Sequence, residues 1–422
     1  MGRLFPCIIL FPSDVGHNLP RTDDSRGKGR EIAGTTSGDA RRAGSDASRA
    51  AIIAALRRYG PMTRQRLVAE TGLSRATVSS CLGVLAGEGR IRESAHGTDG
   101  GRGRPSMLVS INASRAELVG IEIGRAHLAV AVADGADNVI AVADRDIGAG
   151  TGVRARVAAA VALLADLAAE QDLDLTTVHG VAAGTPGPKF TGEGRRSQDL
   201  ALARFTRDRA DVAACLAERF GVPVRVENNT RYTALGETAA AGDRNVVYLR
   251  VDEGVGGGVV VDGSLVSGSW GTAGELGHVC VDPKGPRCAC GGRGCVELVA
   301  SLPALLAATG SADLTALTER LRAGDPGATA ALDQAAGAAG QALAGVLAVL
   351  DVSLVVVGGR VAQLPGFPDR LEHVLRDVAP SWCVAELTVR LAHDDRTAGA
   401  RGALVHARLA ADRTGIPART TG

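Results

Sequence analysis

The sequence predicts an α/β protein that carries a small winged helical head at its N-terminal end. Three observations lead there. Between Ser48 and Ile111, short amphipathic helices and two short strands surround a Gly-Arg run. From Leu118 onward, apolar strand runs alternate with Ala-rich helices, the pattern of an α/β fold. In the second half, His278, Cys288, Cys290 and Cys295 fall together inside a Gly-rich stretch.

With 422 residues the chain is long enough for two or three domains with cores of their own. Its net charge of +1 leaves any nucleic-acid contact to a local basic patch. The eight cysteines are too few and too clustered for a secreted disulfide framework. Residues 4–12 are apolar, but a bilayer span needs about 20 residues. No signal-cleavage pattern follows them, so the expectation is a cytoplasmic protein with no membrane partner.

Residues 1–47, poor in apolar side chains from 13 onward, read as a disordered tail. The first helix is expected from Ser48, with Ala50, Ile52, Ile53, Leu56 and Tyr59 at helical spacing and Gly60-Pro61 as its stop. Thr63 caps a second helix, Arg64 to Glu70, with Leu67 and Val68 inward. After the turn Thr71-Gly72-Leu73, Ser74 caps a third helix, Arg75 to Ala86, that buries Val78, Leu82 and Leu85. Two helices about a Gly-containing turn are a helix-turn-helix pattern. The third helix would offer Arg75, Thr77, Ser79 and Ser80 to base edges, with Thr63 and Ser74 at the helix starts. Strands at Arg90–Glu93 and Met107–Ile111 make a wing whose tip, with Arg102 and Arg104, suits a narrow minor groove. Residues 48–111 therefore read as a winged helix-turn-helix domain for double-stranded operator DNA. Such readers gain specificity from paired half-sites, so a homodimer or tetramer is expected.

The body opens with a buried hairpin, Val119–Gly124 and Ala126–Ala133, then a helix at Val153–Glu170. A strand at Val178–Ala183 leads to the turn Gly184–Pro188. A helix at Val212–Phe220 and a strand at Val222–Val226 lead to Glu227-Asn228-Asn229 and a helix, Thr230–Ala241. The next strand is Val246–Val251, followed by a Gly-rich turn, Gly254–Gly258, and a strand, Val259–Asp262. Helices are expected near Leu302–Ala307, Leu314–Arg322 and Ala328–Leu350, and a buried strand at Leu354–Val357 before the turn Gly358-Gly359. A last helix, Ala398–Ala411, should pack back on the first half.

His278, Cys288, Cys290 and Cys295 supply the ligand set of a tetrahedral zinc site, and Gly291, Gly292 and Gly294 let the loop close on it. Such a site is closed, hence structural. Cys280 is an alternative ligand, and three ordinary thiols in a flexible loop are the plainer reading.

Glu275-Leu-Gly-His278, followed by Cys288-x-Cys-Gly-x-x-Gly-Cys-x-Glu297, resembles the signature of the ROK family of bacterial sugar kinases and sugar-responsive repressors. The resemblance implies a two-lobed actin-like (ribonuclease H-like) domain over 115–412. Lobe 1 would take about 115–240 plus the helix 398–412, and lobe 2 about 241–397. It also implies a sugar pocket built from Gly187, Asn228, Asn229, Glu275, His278 and Glu297. Phe205 is an open candidate for the family's pocket tryptophan, since Ser197–Asp199 offers no match. A winged head is a mark of the family's repressors, which the kinases lack.

Phosphotransfer needs phosphate-cradling loops and a carboxylate base. Where kinases of the family read Asp-x-Gly-Gly-Thr-Lys, this chain has Glu122-Ile123-Gly124-Arg125-Ala126-His127. Gly-Thr-Gly becomes Asp252-Glu253-Gly254, and the catalytic Asp becomes Asn229, an amide that cannot take the sugar proton. The expectation is a transcriptional regulator, a repressor, that has lost catalysis and senses a sugar or sugar phosphate. An active kinase with a DNA-binding head and a ligand-independent regulator are the alternatives.

Overall fold

Two five-stranded sheets repeat one strand order. The first runs β6-β5-β4-β7-β8, built from β4 (Leu118–Ile123), β5 (His127–Ala133), β6 (Val139–Asp146), β7 (Gly180–Thr185) and β8 (Val224–Asn228). The second runs β11-β10-β9-β12-β13, from β9 (Val246–Val251), β10 (Val255–Val261), β11 (Ser264–Leu265), β12 (Leu354–Gly358) and β13 (Thr388–Leu391). In both, the first three strands form an antiparallel meander and the last two add in parallel. Burial on both faces explains why β4, β7 and β12 are apolar at nearly every position. This computed structural model describes residues 37–96, 106–112, 115–148, 150–188, 200–393 and 396–414.

Three helical layers bury these sheets. On the outer face of the first, α4 (Val153–Glu170) and α5 (Leu200–Phe220) place Leu163, Leu164, Val212 and Leu216 against Val119, Ile121 and Val181. Between the sheets lie α6 (Asn229–Ala241) and α13 (Ala398–Thr414), where Tyr232, Leu235 and Leu404 share a core with Leu118, Tyr248 and Val356. The outer face of the second sheet is covered by α7 (Glu297–Ala300), α8 (Leu302–Thr309), α9 (Leu314–Arg322), α10 (Pro326–Leu350) and α11 (Phe367–Val378). The short α12 (Ser381–Val384) adds Cys383 and Val384 to that core. The result is an actin-like α/β body.

The head comprises α1 (Ser37–Tyr59), β1 (Met62–Thr63), α2 (Arg64–Thr71), α3 (Arg75–Gly87), β2 (Ile91–His96) and β3 (Ser106–Ile111). Its three strands pair antiparallel in the order β1-β3-β2. Ile52, Leu56, Met62, Leu67, Val78, Leu82, Leu85 and Val109 form its core. Thr63 and Ser74 are the N-caps of α2 and α3, their side chains accepting from the Arg66 and Thr77 N–H groups.

Several expectations need correction. The helix expected from Ser48 begins at Ser37, so part of the presumed tail is helical. Ala40 to Ala43 are good helix formers, and Arg49 bonds back to Ser45 and Asp46. Residues 1–36 and the wing tip, Arg102 and Arg104 included, lie outside the described residues, as do Ser197–Asp199. The expected turn Gly254–Gly258 is largely strand: Gly256, Gly257 and Gly258 pair with Arg250, Leu249 and Tyr248. Glycine is there for thickness. A methyl added at Gly258 would lie 2.6 Å from the Ala234 Cβ on α6, and one at Gly257 would strike Leu276 on the other face. Strands β1, β6, β11 and β13 and helices α7, α11 and α12 went unrecognised, and α5 starts twelve residues before its expected Val212 (200 against 212). No helix among the described residues is long and apolar enough to cross a membrane.

Candidate functional site

The residues expected around a sugar cluster where the two lobes meet. Asn228 ends β8 and caps α6, its Oδ1 accepting from the Arg231 N–H at 3.3 Å. Its Nδ2 donates to the Gly187 carbonyl at 2.7 Å, so these two predicted residues are directly joined. Gly187 sits at φ +85° with the Phe205 ring against it, leaving no room for a side chain. Phe205 thus lies beside the predicted loop.

From the second lobe, the turn Glu275 to His278 packs Leu276 under β10 and presents Glu275 and His278 half-buried. Burial pushes the Glu275 carboxyl above the usual range; His278, Arg231 and Arg209 oppose that shift and Glu297 adds to it. Glu297 starts α7, and its Oε2 accepts from the Val255 N–H at 3.0 Å. Its carboxylate therefore ties the end of the cysteine loop to the start of β10.

Two buried arginines complete the arrangement, and the sequence reading missed both. Arg209 on α5 donates to the Gly187 and Pro188 carbonyls, and burial lowers its pKa to about 10. Arg231 on α6 is fully buried; it bonds the carbonyls of Gly271 and Val266, the latter at 2.9 Å, and pairs with Glu227 at 3.5 Å. A lobe 1 helix thereby grips the loop leading into the Glu275 turn. For Arg231, its place as the one basic residue of α6 was the available signal.

His278, Cys288, Cys290 and Cys295 offer ligand atoms all within 4.8 Å of one another. Cys290 and Cys295 sulfurs are 3.6 Å apart, and His278 Nδ1 is 3.7 Å from the Cys288 sulfur. Tetrahedral zinc with Zn–S of about 2.3 Å and Zn–N of about 2.0 Å spaces its ligands by roughly 3.5–3.8 Å. The donor set fits such an ion. Burial and the neighbouring Cys290 and Cys288 sulfurs push the Cys295 thiol up to about 12, a load that a cation would relieve. Cys280, the alternative ligand, is exposed and outside the cluster, joined to Cys295 only by a backbone bridge.

The loops expected to cradle phosphate are occupied by the chain itself. The Gly124 N–H donates to the His127 carbonyl at 2.8 Å, and Arg156 takes the Gly124 carbonyl at 2.9 Å. In the equivalent hairpin turn of the second sheet, Asp252 accepts from Arg360 at 2.6 Å and from Arg250 at 3.2 Å. Arg360 also holds Glu253, at 2.5 Å. Asn229 Oδ1 accepts from the Thr230 N–H at 2.9 Å, while its Nδ2 lies 3.5 Å from Glu122 Oε1.

In the head, Arg75, Ser79 and Ser80 are exposed on α3 and Thr77 is half-buried, its hydroxyl 2.9 Å from that of Ser74. Arg64 reaches Ser79 at 3.4 Å and pairs with Glu93 at 2.7 Å.

Fold and site together describe an actin-like body with a Cys3His loop in its second lobe. The model of the ROK family matches residues 118–410, and the chain belongs to that family. It is 36% identical over 194 residues to the N-acetylmannosamine kinase of Citrobacter koseri, covering 44% of this chain and 66% of that one. To the xylose repressor of Bacillus subtilis it is 30% identical over 261 residues, 58% of this chain and 63% of the relative. The chain spans just under two thirds of the length of these curated relatives. A crystal structure of a ROK family transcriptional regulator, a homolog of the E. coli MLC protein, shares the fold at TM-score 0.65 and 23% identity, over 87% of this chain and 97% of that one. A ROK hexokinase from Thermus thermophilus matches at TM-score 0.57 and 30% identity, over 70% of this chain and 99% of its own.

Proposed function

We propose that this chain is a sugar-responsive transcriptional regulator, a repressor, whose ROK body no longer transfers phosphate. The observation that carries the reading is the joining of a head with a capped, exposed α3 to a body in which Asn229 faces Glu122. The fold likeness to the ROK regulator covers 87% of the chain against 70% for the hexokinase, which supports counting the head as part of the family's regulator architecture.

In this reading, residues 48–111 bind operator DNA as a winged helix-turn-helix and 115–412 sense the effector. Arg75, Ser79 and Ser80 meet base edges, Thr63, Ser74 and Thr77 hold the helix starts, and Arg102 and Arg104 enter the minor groove. Gly187, Asn228, Asn229, Glu275, His278 and Glu297 bind sugar hydroxyls. The neighbouring carboxylates favour an uncharged sugar over a sugar phosphate. Zinc held by His278, Cys288, Cys290 and Cys295 would supply a cross-link that fixes the Glu275 and Glu297 loops. The protein works in the cytoplasm as a homodimer or tetramer. The effector acts by binding one arrangement of the lobes better than another.

Fluorescence anisotropy on DNA upstream of its own and neighbouring genes, at fixed salt and with a panel of sugars, tests this. Sequence-specific binding weakened by one sugar is expected; no specific binding overturns the proposal. The second reading, an active kinase, draws on the N-acetylmannosamine kinase relative and on the carboxylate retained at Glu122. ATP turnover with N-acetylmannosamine, glucose or xylose would establish it.

A further inference from the structure

The head and the body meet through buried charge. At the end of α1, Arg57 Nε donates to the Gly135 carbonyl and lies 3.6 Å from Asp137. The same two acceptors serve Arg408 of α13, which bonds Asp137 Oδ1 at 2.7 Å and lies 3.4 Å from the Gly135 carbonyl. One turn of the first sheet, Asp134 to Asn138, thus holds an arginine from the head and one from the last helix. Beside it, Glu117 is 2% exposed, with Arg90 at 3.5 Å, Arg115 at 3.9 Å and His179 at 4.0 Å. Arg115 donates to the Glu88 carbonyl at the end of α3.

These two halves of the contact differ in quality. Asp137 is hydrogen-bonded, whereas Glu117 Oε2, Arg90 Nε and Arg115 Nε are buried with no hydrogen-bond partner. Buried ions so placed give little adhesion for their desolvation, but they fix geometry and respond steeply to small displacements. A contact needed only to hold the head would be better served by apolar packing. The last helix also touches α6. His406 Nδ1 lies 3.2 Å from the Tyr232 hydroxyl, and Tyr232 adjoins the Arg231 that grips the Gly271 loop.

We propose that the Glu117 and Asp137 cluster is the joint through which the body sets the angle of the head, with α13 as the rod between pocket and joint. The joint rests on geometry alone; its role in transmitting a sugar signal rests on the function proposed above.

Full-length Arg57→Ala, Glu117→Gln and Asp137→Asn test both parts. Hydrogen exchange in the last turn of α1 and in the Asp134–Asn138 turn should quicken about tenfold, as for the loss of about 1.4 kcal/mol of local protection, while α3 stays unchanged. Unchanged exchange at those segments overturns the joint. Should the body variants unfold, Arg57→Ala decides, since it leaves the Arg408–Asp137 pair in place. In anisotropy with the upstream DNA and xylose, glucose or N-acetylmannosamine, the variants should keep DNA affinity while the sugar-induced shift falls toward one. A shift equal to wild type overturns transmission. If wild-type protein shows no shift with any sugar, the sensor reading and the transmission both fall, and the exchange result still settles the joint.

Discussion

Two groups of loops in the same body differ in how their polar groups are held. Around Glu275, His278 and Glu297, carboxylates and an imidazole are gathered by a metal-type cluster and a backbone bond, and Glu275 stays in a setting that resists its charge. Around Gly124 and Asp252, the polar groups are bonded to their own chain through His127, Arg156, Arg250 and Arg360. On the proposed reading, the second group satisfies its polar atoms internally in place of a phosphate, because an unpaired buried polar atom is costly.

The largest test of this contrast is loss of the zinc proposed for the cysteine cluster. Cys288→Ala, or exhaustive chelation, should lower stability by on the order of 4 kcal/mol and abolish any sugar effect, read by thermal melting beside metal analysis. Little change in melting would mean the loop is held by its backbone alone. Next, Glu297→Gln should weaken sugar binding by about 2 kcal/mol, measured calorimetrically, because a charged acceptor becomes a neutral one while Val255 keeps a partner. Undiminished binding would remove Glu297 from the pocket.

Asn229→Asp probes the other side. It sets a second carboxylate beside Glu122 and should cost about 1–2 kcal/mol at neutral pH, an amount recovered as pH falls and one acid is protonated. No ATP turnover should appear, since both phosphate loops remain tied. Measurable turnover in that variant would break the contrast outright.

The smallest effect concerns pH. The folded Glu275 pKa lies above its unfolded value, so its favourable contribution is full below the unfolded pKa and fades as pH rises through the folded one. Glu275→Gln should therefore gain on wild type in melting temperature at pH 7–8, an advantage that vanishes near pH 4. An advantage that grew toward acid would reverse the assignment.

Much of this was legible from residue spacing. Thr63 and Ser74 were recognisable caps because hydroxyls before apolar-periodic runs have few other uses. Likewise, α4 has its expected bounds because its apolar face is regular. The clustering of His278 with three cysteines needed only their sequence proximity. Strand β6 was missed because none of its residues is fully buried, so it lacks the apolar run that marks β4. Arg209 and Arg231 escaped because their carbonyl partners come from loops far along the chain. The Gly256–Gly258 strand looked like a turn because composition alone does not separate a bend from a bare, crowded strand.

That bare strand has a consequence for inheritance. Every missense change at a glycine enlarges it, so drift at Gly257 and Gly258 runs in one direction only. With α6 against one face and the Glu275 turn against the other, each enlargement wedges the interlobe helix away from the pocket loop. Lineages that keep a responsive pocket should therefore keep these codons silent, while the exposed segments around them vary.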